Sequence, residues 1–148
     1  METQKIKIAV VVLNWNGKVW LDKFLPFLIK YSQEATIFVA DNASDDNSVE
    51  FIKSNFPEVK IIRNDINGGY AKGYNDALRK INAEYFVLIN SDIEVTKSWL
   101  TPIIKLMDSD KNIAACQPKM LDYNCKKKFE YAGASGGFID NLGYPFCR

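Results

Sequence analysis

The sequence contains no histidine, only three cysteines and no long apolar run. Without histidine, the chain cannot build a serine or cysteine nucleophile activated by imidazole, nor a zinc site with imidazole ligands. Acid–base chemistry must therefore use carboxylates, lysine or tyrosine. The cysteines are widely spaced and form no Cys-x-x-Cys pair. This spacing is typical of incidental thiols in a reducing compartment, with a structural disulfide as the minor alternative.

Neither charge nor hydropathy indicates a nucleic-acid-binding or membrane-spanning protein. The 19 basic and 18 acidic residues give a net charge of +1, so we expect no basic face for nucleic acid. The apolar run Ile8–Leu13 is too short to span a bilayer and no cleavage site follows it, so it should be a core strand. We expect one cytoplasmic domain, with a peripheral position at the inner membrane face as a further alternative.

Strand-like and helix-like segments alternate along the chain. Apolar, β-branched runs predict five strands, at 5–15, 35–40, 59–63, 84–90 and 113–121. Helical spacing of apolar residues predicts helices at 18–31, 49–56 and 74–81, and another that begins near 96 or 97. The first strand has no polar interruption, as in a strand buried on both faces, and Tyr85–Ile89 of the fourth are typical of a buried strand. The alternation predicts an α/β sandwich with a mainly parallel sheet.

Polar residues follow four of the predicted strands directly. They are Asn14–Gly17, Asp41–Asp45, Asn64–Gly69 and Asn90–Asp92. Right-handed crossovers bring the carboxyl ends of parallel strands to one edge of the sheet, where ligands of such folds bind. We therefore expect these four loops to form one site.

The two acidic residues of this edge each admit two interpretations. Asp92 could bind a magnesium or manganese ion together with Asn90, or it could cap a helix. Asp41 could contact a ligand, as acidic residues do at the end of the second strand in dinucleotide-binding folds, or it could cap the next helix. The dinucleotide fingerprint G-x-G-x-x-G does not follow the first strand.

Four segments in this order resemble family 2 glycosyltransferases of the GT-A fold. They are "VVLNWNG", "VADNASDDNS", "NGGYAKGYNDAL" and "LINSDIEV", and within the family they are most similar to the rhamnosyltransferase-like branch. The resemblance implies a Rossmann-like three-layer sandwich. It also implies an inverting transfer of a sugar from a nucleoside diphosphate to a saccharide or lipid-linked saccharide, in bacterial surface polysaccharide synthesis.

The resemblance also implies roles for individual residues. Trp15 would stack on the base of the donor nucleotide beside Leu13, and Asp41 would accept a hydrogen bond from the ring N–H of that base. Such a base belongs to a UDP-, dTDP- or GDP-linked sugar. Asp92 would bind Mg²⁺ or Mn²⁺ and act as the catalytic carboxylate. The remaining donor-binding positions implied by the resemblance are Gly68, Gly69, Asn75, Asn90 and Ser91.

The sequence departs from the family pattern in two respects. Asn90 replaces the leading acid of the family's Asp-x-Asp motif, and an amide is a weaker metal ligand. The chain also ends at Arg148, before the family's acceptor-binding segment and general base, and Glu130 and Asp140 do not match that base. We therefore expect 1–148 to be a donor-binding part with little turnover by itself, able to self-associate through exposed apolar surface. A non-catalytic nucleotide-binding module stays open as the alternative, whereas a pyrophosphorylase would need a basic glycine-rich loop after the first strand.

Overall fold

The computed structural model describes residues 5–130 and 137–147, with residues 137–139 and 145–147 described by their backbone only. The chain forms two compact units, Met1–Ser98 and Trp99–Arg148. The first unit alternates strands and helices as predicted, although the helix predicted at 74–81 begins five residues earlier, within the predicted glycine-rich loop, and ends before 81. Its elements are β1 (Ile6–Asn14), α1 (Lys18–Tyr31), β2 (Thr36–Asp41), α2 (Ser48–Asn55), β3 (Lys60–Arg63), α3 (Gly69–Leu78) and β4 (Ala83–Asn90).

The four strands form one parallel sheet in the order β3-β2-β1-β4, which confirms the predicted α/β architecture. The register aligns the carboxyl ends of the strands. Asn14 lies opposite Asp41, Leu13 lies opposite Asn90, and Asp41 lies opposite Arg63. The residues that end the four strands thus lie side by side at one edge of the sheet.

Successive side chains of β1 point to opposite sides of the sheet, and helices pack on both of these faces. On one face, Ala9 and Val11 of β1 belong to the same buried cluster as Tyr74 and Ala77 of α3. On the other face lies α1, which runs from Lys18 to Tyr31 as predicted and buries an apolar stripe despite its internal proline. That stripe consists of Leu21, Phe24, Leu25 and Leu28. The result is a three-layer sandwich.

The prediction that β4 is a buried strand is wrong for one of its two faces. Of its apolar residues only Ile89 is buried, whereas Phe86 and Leu88 are 41% and 48% exposed. These two side chains share a face with Ala9 and Val11, their partners in register. Within the described residues β4 pairs with β1 alone and therefore forms an edge of this sheet, where one strand face is less covered.

The second unit contains α4 (Thr101–Ser109) and a hairpin of β5 (Gly137–Ile139) and β6 (Pro145–Cys147). The predicted start of α4 near 96 or 97 is about one turn too early. Ser98 has a φ of 59°, outside the helical region, and Pro102 lies at the first turn, where its missing N–H costs nothing.

The predicted fifth strand at 113–121 is also wrong. Residues 113–120 form no ladder, most of their side chains are exposed, and only Leu121 makes an isolated bridge, to Phe129. Pro118 has no N–H to donate, which weakens any strand through this segment. Cys116 and Cys125 are free thiols. Across the described residues, none of the helices has the length and apolar character needed to cross a membrane.

Candidate functional site

The loops that follow β1 and β2 are held together by Asn14, the last residue of β1. Its side chain is fully buried, and its Nδ2 donates to Asp41 Oδ1 and to Ser44 Oγ, each at 3.2 Å. The backbone continues the contact, because the amide of Asn42 donates to the Asn14 carbonyl at 2.8 Å. The β1 loop and the β2 loop therefore form one rigid edge.

Asp41 lies at the centre of this edge as a fully buried carboxylate. Besides the bond from Asn14, its Oδ2 accepts the Ser44 amide at 3.2 Å, and the Arg63 Nε lies 3.8 Å away. The Arg63 side chain is 58% exposed, and its positive charge lies on the solvent side of the buried carboxylate. The structure does not use Asp41 as a helix cap. Each oxygen of the Asp41 carboxylate thus accepts one hydrogen bond, from Asn14 or from Ser44, although a carboxylate can accept about four.

Asp46 carries out the capping that Asp41 does not. Its carboxylate accepts the Lys18 amide at the start of α1 at 2.9 Å and the Ser48 amide at the start of α2 at 3.0 Å, and it binds the Ser48 hydroxyl. Burial raises the pKa of the Asp46 carboxyl, but these hydrogen bonds outweigh burial and lower the pKa below 3.8. One side chain thus joins the starts of two helices behind the site.

A chain of buried amides positions the glycine loop before α3. Asn42 Nδ2 donates to Asn67 Oδ1 at 2.7 Å and to the Gly69 carbonyl at 3.3 Å. Asn64 Nδ2 donates to Asn42 Oδ1 at 3.2 Å and to the Gly73 carbonyl at 3.1 Å. The start of α3 is therefore tied to the carboxyl ends of β2 and β3 by side chains rather than by a sheet ladder.

Two glycines allow the elements to approach this closely. A Cβ on Gly73 would lie 2.9 Å from Leu13 Cδ1 and 3.0 Å from Asn42 Oδ1. A Cβ on Gly17 would overlap Asn14 Oδ1 and lie 3.0 Å from Ser91 Oγ. Gly69 differs, since its φ of +76° requires glycine while the space around it is open.

The end of β4 joins the same edge through Tyr74 of α3. The Tyr74 hydroxyl is buried and donates to the Ile89 carbonyl at 2.9 Å. Burial, reinforced by the neighbouring Tyr70, raises the pKa of the Tyr74 phenol well above its usual range. Since Ser91 Oγ lies close to Gly17, the residues after Ile89 reach the β1 loop.

The exposed groups of this edge include the indole of Trp15 and the carboxylate of Asp92. Trp15 is 59% exposed directly after the buried Asn14. Asn90 and Asp92 are also exposed, and Ser91 is half-buried. Asp92 caps no described helix, because the next helix begins at Thr101. An exposed aromatic ring and exposed oxygen ligands at one edge are residue types suited to a nucleotide and its phosphates.

The side-chain oxygens of this edge could supply only part of the coordination shell of a divalent ion. Among the described residues no cluster of three or more His, Cys, Asp or Glu side chains could hold a metal by itself. Asp92 offers one carboxylate, with the Asn90 amide and the Ser91 hydroxyl adjacent in sequence. Magnesium and manganese ions commonly accept such an incomplete set, because water and substrate phosphates supply the remaining oxygens.

The structure locates every site residue predicted from the sequence. Leu13, Trp15, Asp41, Asn90 and Ser91 all lie at or directly after the carboxyl ends of β1, β2 and β4, with Gly68 and Gly69 at the start of α3. Asn75 lies on the exposed side of α3, away from the buried amides that hold the loop.

The sequence analysis assigned no role to the buried residues that connect the loops of the site. Asn14, Asn42 and Asn64 are buried polar residues, and the sequence placed them at the edge without assigning them a role. The sequence feature that could have identified them is their position directly after a β-branched run. At such a position the strand pairing ends, and a side-chain amide can satisfy the backbone groups left unpaired.

Comparison with known proteins identifies a family and several relatives. The family model described as Glycosyl transferase family 2 matches residues 9–138. The uncharacterized glycosyltransferase YfnE of Bacillus subtilis is 28% identical over 115 residues, which are 75% of this chain and 29% of that protein. Abequosyltransferase RfbV of Salmonella typhimurium is 27% identical over 120 residues, 76% of this chain and 36% of that protein. The chain thus spans about a third of the length of these relatives.

Solved structures share the fold. The mannosyltransferase PcManGT from Pyrobaculum calidifontis, in complex with GDP-Man and Mn²⁺, superposes with a TM-score of 0.62 at 18% identity, over 80% of this chain and 34% of that one. TarS 1-349 of S. aureus, in complex with UDP-GlcNAc, has a TM-score of 0.63 at 21% identity, over 79% of this chain and 38% of that one. At this identity the likeness establishes the GT-A fold.

Proposed function

Because this chain belongs to glycosyl transferase family 2, we propose that it holds the nucleoside-diphosphate sugar of an inverting sugar transfer. The observation that carries the proposal is the joined carboxyl edge, where Asn14 binds the buried Asp41, Trp15 is exposed, and Asp92 caps none of the described helices. The whole reaction would transfer the sugar to a saccharide in bacterial surface polysaccharide synthesis at the cytoplasmic side of the membrane. The polysaccharide assignment is supported by the similarity to an abequosyltransferase.

The nucleotide would bind at the first three loops. The indole of Trp15 offers a face for stacking on the base, and the Asp41 carboxylate offers an acceptor for a ring N–H such as that of uracil, thymine or guanine. Because Asp41 has no exposed surface, we propose that the base displaces the exposed Arg63 side chain to reach it. Asn14 and Ser44 would keep the carboxylate in place during that exchange.

The diphosphate would lie toward Asp92, with Asn90 and Ser91 beside it. A Mg²⁺ or Mn²⁺ ion held there would neutralise charge that develops on the departing nucleoside diphosphate. Preorganised electrostatic stabilisation of this kind is often the largest catalytic contribution. The acceptor hydroxyl would attack the anomeric carbon from the opposite side as the bond to the phosphate oxygen breaks. A general base would take the proton of the attacking hydroxyl.

Thermal unfolding with nucleotides tests this proposal. We expect UDP, dTDP or GDP with Mn²⁺ to raise the midpoint, and ADP to have less effect. A ligand at about a hundred times its dissociation constant adds roughly 2.7 kcal/mol, or about 5–10 °C for a domain of this size.

Two matched variants separate the metal role from general charge effects. Asp92→Asn should abolish the manganese-dependent part of the shift and leave the shift with nucleotide alone. Glu58→Gln removes an exposed carboxylate that precedes β3, away from the carboxyl edge, and should leave both shifts unchanged. A manganese-dependent shift that survives in Asp92→Asn would exclude the proposed metal role. The absence of a shift with any nucleotide would contradict donor binding by this chain.

A further inference from the structure

Helix α1 carries a second stripe of large side chains on the side that faces away from the sheet. Successive residues of an α-helix are rotated by about 100°, which assigns every side chain of α1 a direction around the helix. An arc of about 100° outside the buried stripe contains Val19, Trp20, Lys23, Phe27 and Lys30. We call these residues the outer stripe. It extends about 16 Å along the helix, at roughly 1.5 Å per residue.

The apolar members of the outer stripe are open to solvent. Val19 is 75% exposed, Trp20 is 46% exposed and Phe27 is 42% exposed. Trp20 and Phe27 lie seven residues apart and therefore on the same side of the helix, two turns from each other. Single exposed apolar residues are common on protein surfaces, but a row of them along one helix face is typical of an interaction surface.

The two lysines of the outer stripe lie among these apolar side chains, beside aromatic rings. Lys23 Nζ lies 5.8 Å from the centre of the Trp20 ring, and Lys30 Nζ lies 5.4 Å from the centre of the Tyr31 ring. Asp22 is the only acidic residue of α1, and it lies about 60° outside the arc. The outer stripe therefore has a net charge of +2, from Lys23 and Lys30.

We propose that the outer stripe binds the surface of an anionic phospholipid membrane. Aromatic rings and lysines on one helix face are typical of membrane interfaces, where the rings lie at the level of the headgroups and the ammonium groups reach the phosphates. Each lysine can meet a different headgroup, so the two need not converge on one phosphate. A second copy of the chain is less complementary, because a two-fold contact through the stripe would bring four lysines and no acidic side chain together.

Membrane binding through α1 would place the carboxyl edge of the sheet beside the membrane surface. Helix α1 begins at Lys18, close to Trp15 at that edge, and it runs back along the sheet because it joins the parallel strands β1 and β2. With α1 flat on the membrane, the carboxyl edge opens along the membrane plane. A lipid-linked acceptor could then reach the donor site without leaving the bilayer. This last consequence rests on the proposed function, whereas membrane binding itself does not.

Co-sedimentation with vesicles tests the proposal. The full chain is centrifuged with phosphatidylcholine vesicles that contain phosphatidylglycerol, with pure phosphatidylcholine vesicles, and without vesicles. We expect binding to the phosphatidylglycerol vesicles that weakens as the salt concentration rises, because salt screens the lysines. Absence of binding to these vesicles would overturn the proposal. Self-association without vesicles that is lost in Trp20→Gln/Phe27→Gln would assign the stripe to a second copy and would also overturn it.

A charge-matched pair of variants tests the two lysines. Each lysine near an anionic surface strengthens binding about fivefold, so Lys23→Gln/Lys30→Gln should weaken binding about 25-fold. The control Lys60→Gln/Arg79→Gln removes the same charge from exposed positions on the side of α3. Lys60 lies opposite Phe38, which belongs to the cluster beneath α3, and Arg79 follows α3 directly. The control should weaken binding less than about threefold, and equal losses in the two variants would overturn the proposal.

A second matched pair tests the aromatic side chains. Trp20→Gln/Phe27→Gln should weaken binding on the order of tenfold or more, because apolar surface no longer leaves water at the membrane. The control Phe86→Gln/Leu88→Gln changes two side chains of similar exposure on the opposite face of the sheet, and its binding should equal that of the wild type. Equal losses here would likewise overturn the proposal. The nucleotide-induced shift in unfolding temperature should persist in the α1 variants, so failure of this proposal is distinguishable from failure of donor binding.

Discussion

Replacement of Gly17 by alanine should destabilise the protein through Asn14. The Gly17 backbone has φ −108° and ψ 24°, which alanine tolerates, so backbone strain adds little. The added Cβ would lie under 3.0 Å from Asn14 Oδ1, closer than real Cβ atoms come to other atoms. Asn14 is fully buried and cannot move aside without loss of its bonds to Asp41 and Ser44.

The expected magnitude follows from these contacts. Overpacking of a buried site costs typically 1–3 kcal/mol, and each hydrogen bond lost from Asn14 adds about 1 kcal/mol. With both bonds lost, we therefore expect Gly17→Ala to lower the free energy of unfolding by about 3–5 kcal/mol. Urea denaturation followed by circular dichroism measures this loss as a lower midpoint with an unchanged m-value.

A double-mutant cycle with Asn14→Ala tests the cause. If the clash with Asn14 dominates, the double variant should be little less stable than Asn14→Ala alone, with a coupling energy above about 1 kcal/mol. Gly69→Ala is the control, since its Cβ would meet no atom within 4 Å and its cost should be additive with that of Asn14→Ala. Additivity of Gly17→Ala and Asn14→Ala within about 0.5 kcal/mol would refute the reasoning.

Two further predictions concern titratable side chains behind the site. Asp46→Ala should cost about 1–3 kcal/mol, because the amides of Lys18 and Ser48 lose their acceptor. Folding lowers the pKa of Asp46, so its contribution to stability is present above about pH 4 and declines as the pH falls through the folded pKa. An acid-unfolding curve of Asp46→Ala as steep as that of the wild type would contradict this. Tyr74→Phe should cost about 1 kcal/mol through the lost bond to Ile89. Because the pKa of Tyr74 is raised on folding, its contribution is complete below about pH 10 and declines at higher pH, so the variant should lose less stability than the wild type in alkaline titrations.

Local sequence patterns determined most elements of the first unit. The apolar spacing of α1 predicted its bounds at Lys18 and Tyr31, because an amphipathic stripe specifies both the helix and its buried face. The β-branched run of β1 predicted the central strand for a similar reason. The polar loops were predicted to share one edge, since parallel strands joined by right-handed crossovers leave that arrangement as the default.

Tertiary structure decided what local patterns do not contain. Phe86 and Leu88 have the composition of a buried strand, yet their exposure depends on which elements lie beside β4. The run at 113–121 has the composition of a strand but finds no ladder, because pairing requires a partner that local sequence does not specify.

The features of the candidate site likewise fall into those identified from the sequence and those that only the tertiary structure shows. The residue types that a donor nucleotide needs, such as Trp15, Asp41 and Asp92, were identified from the sequence and its family resemblance. That Asn14 and Asn42 bind neighbouring loops, that Asp46 caps two helices, and that Arg63 covers Asp41 depends on contacts between residues distant in the chain. An amide or carboxylate at a strand end has the same local sequence whether it faces a ligand or a neighbouring loop. Only the packing of those loops against one another makes the distinction.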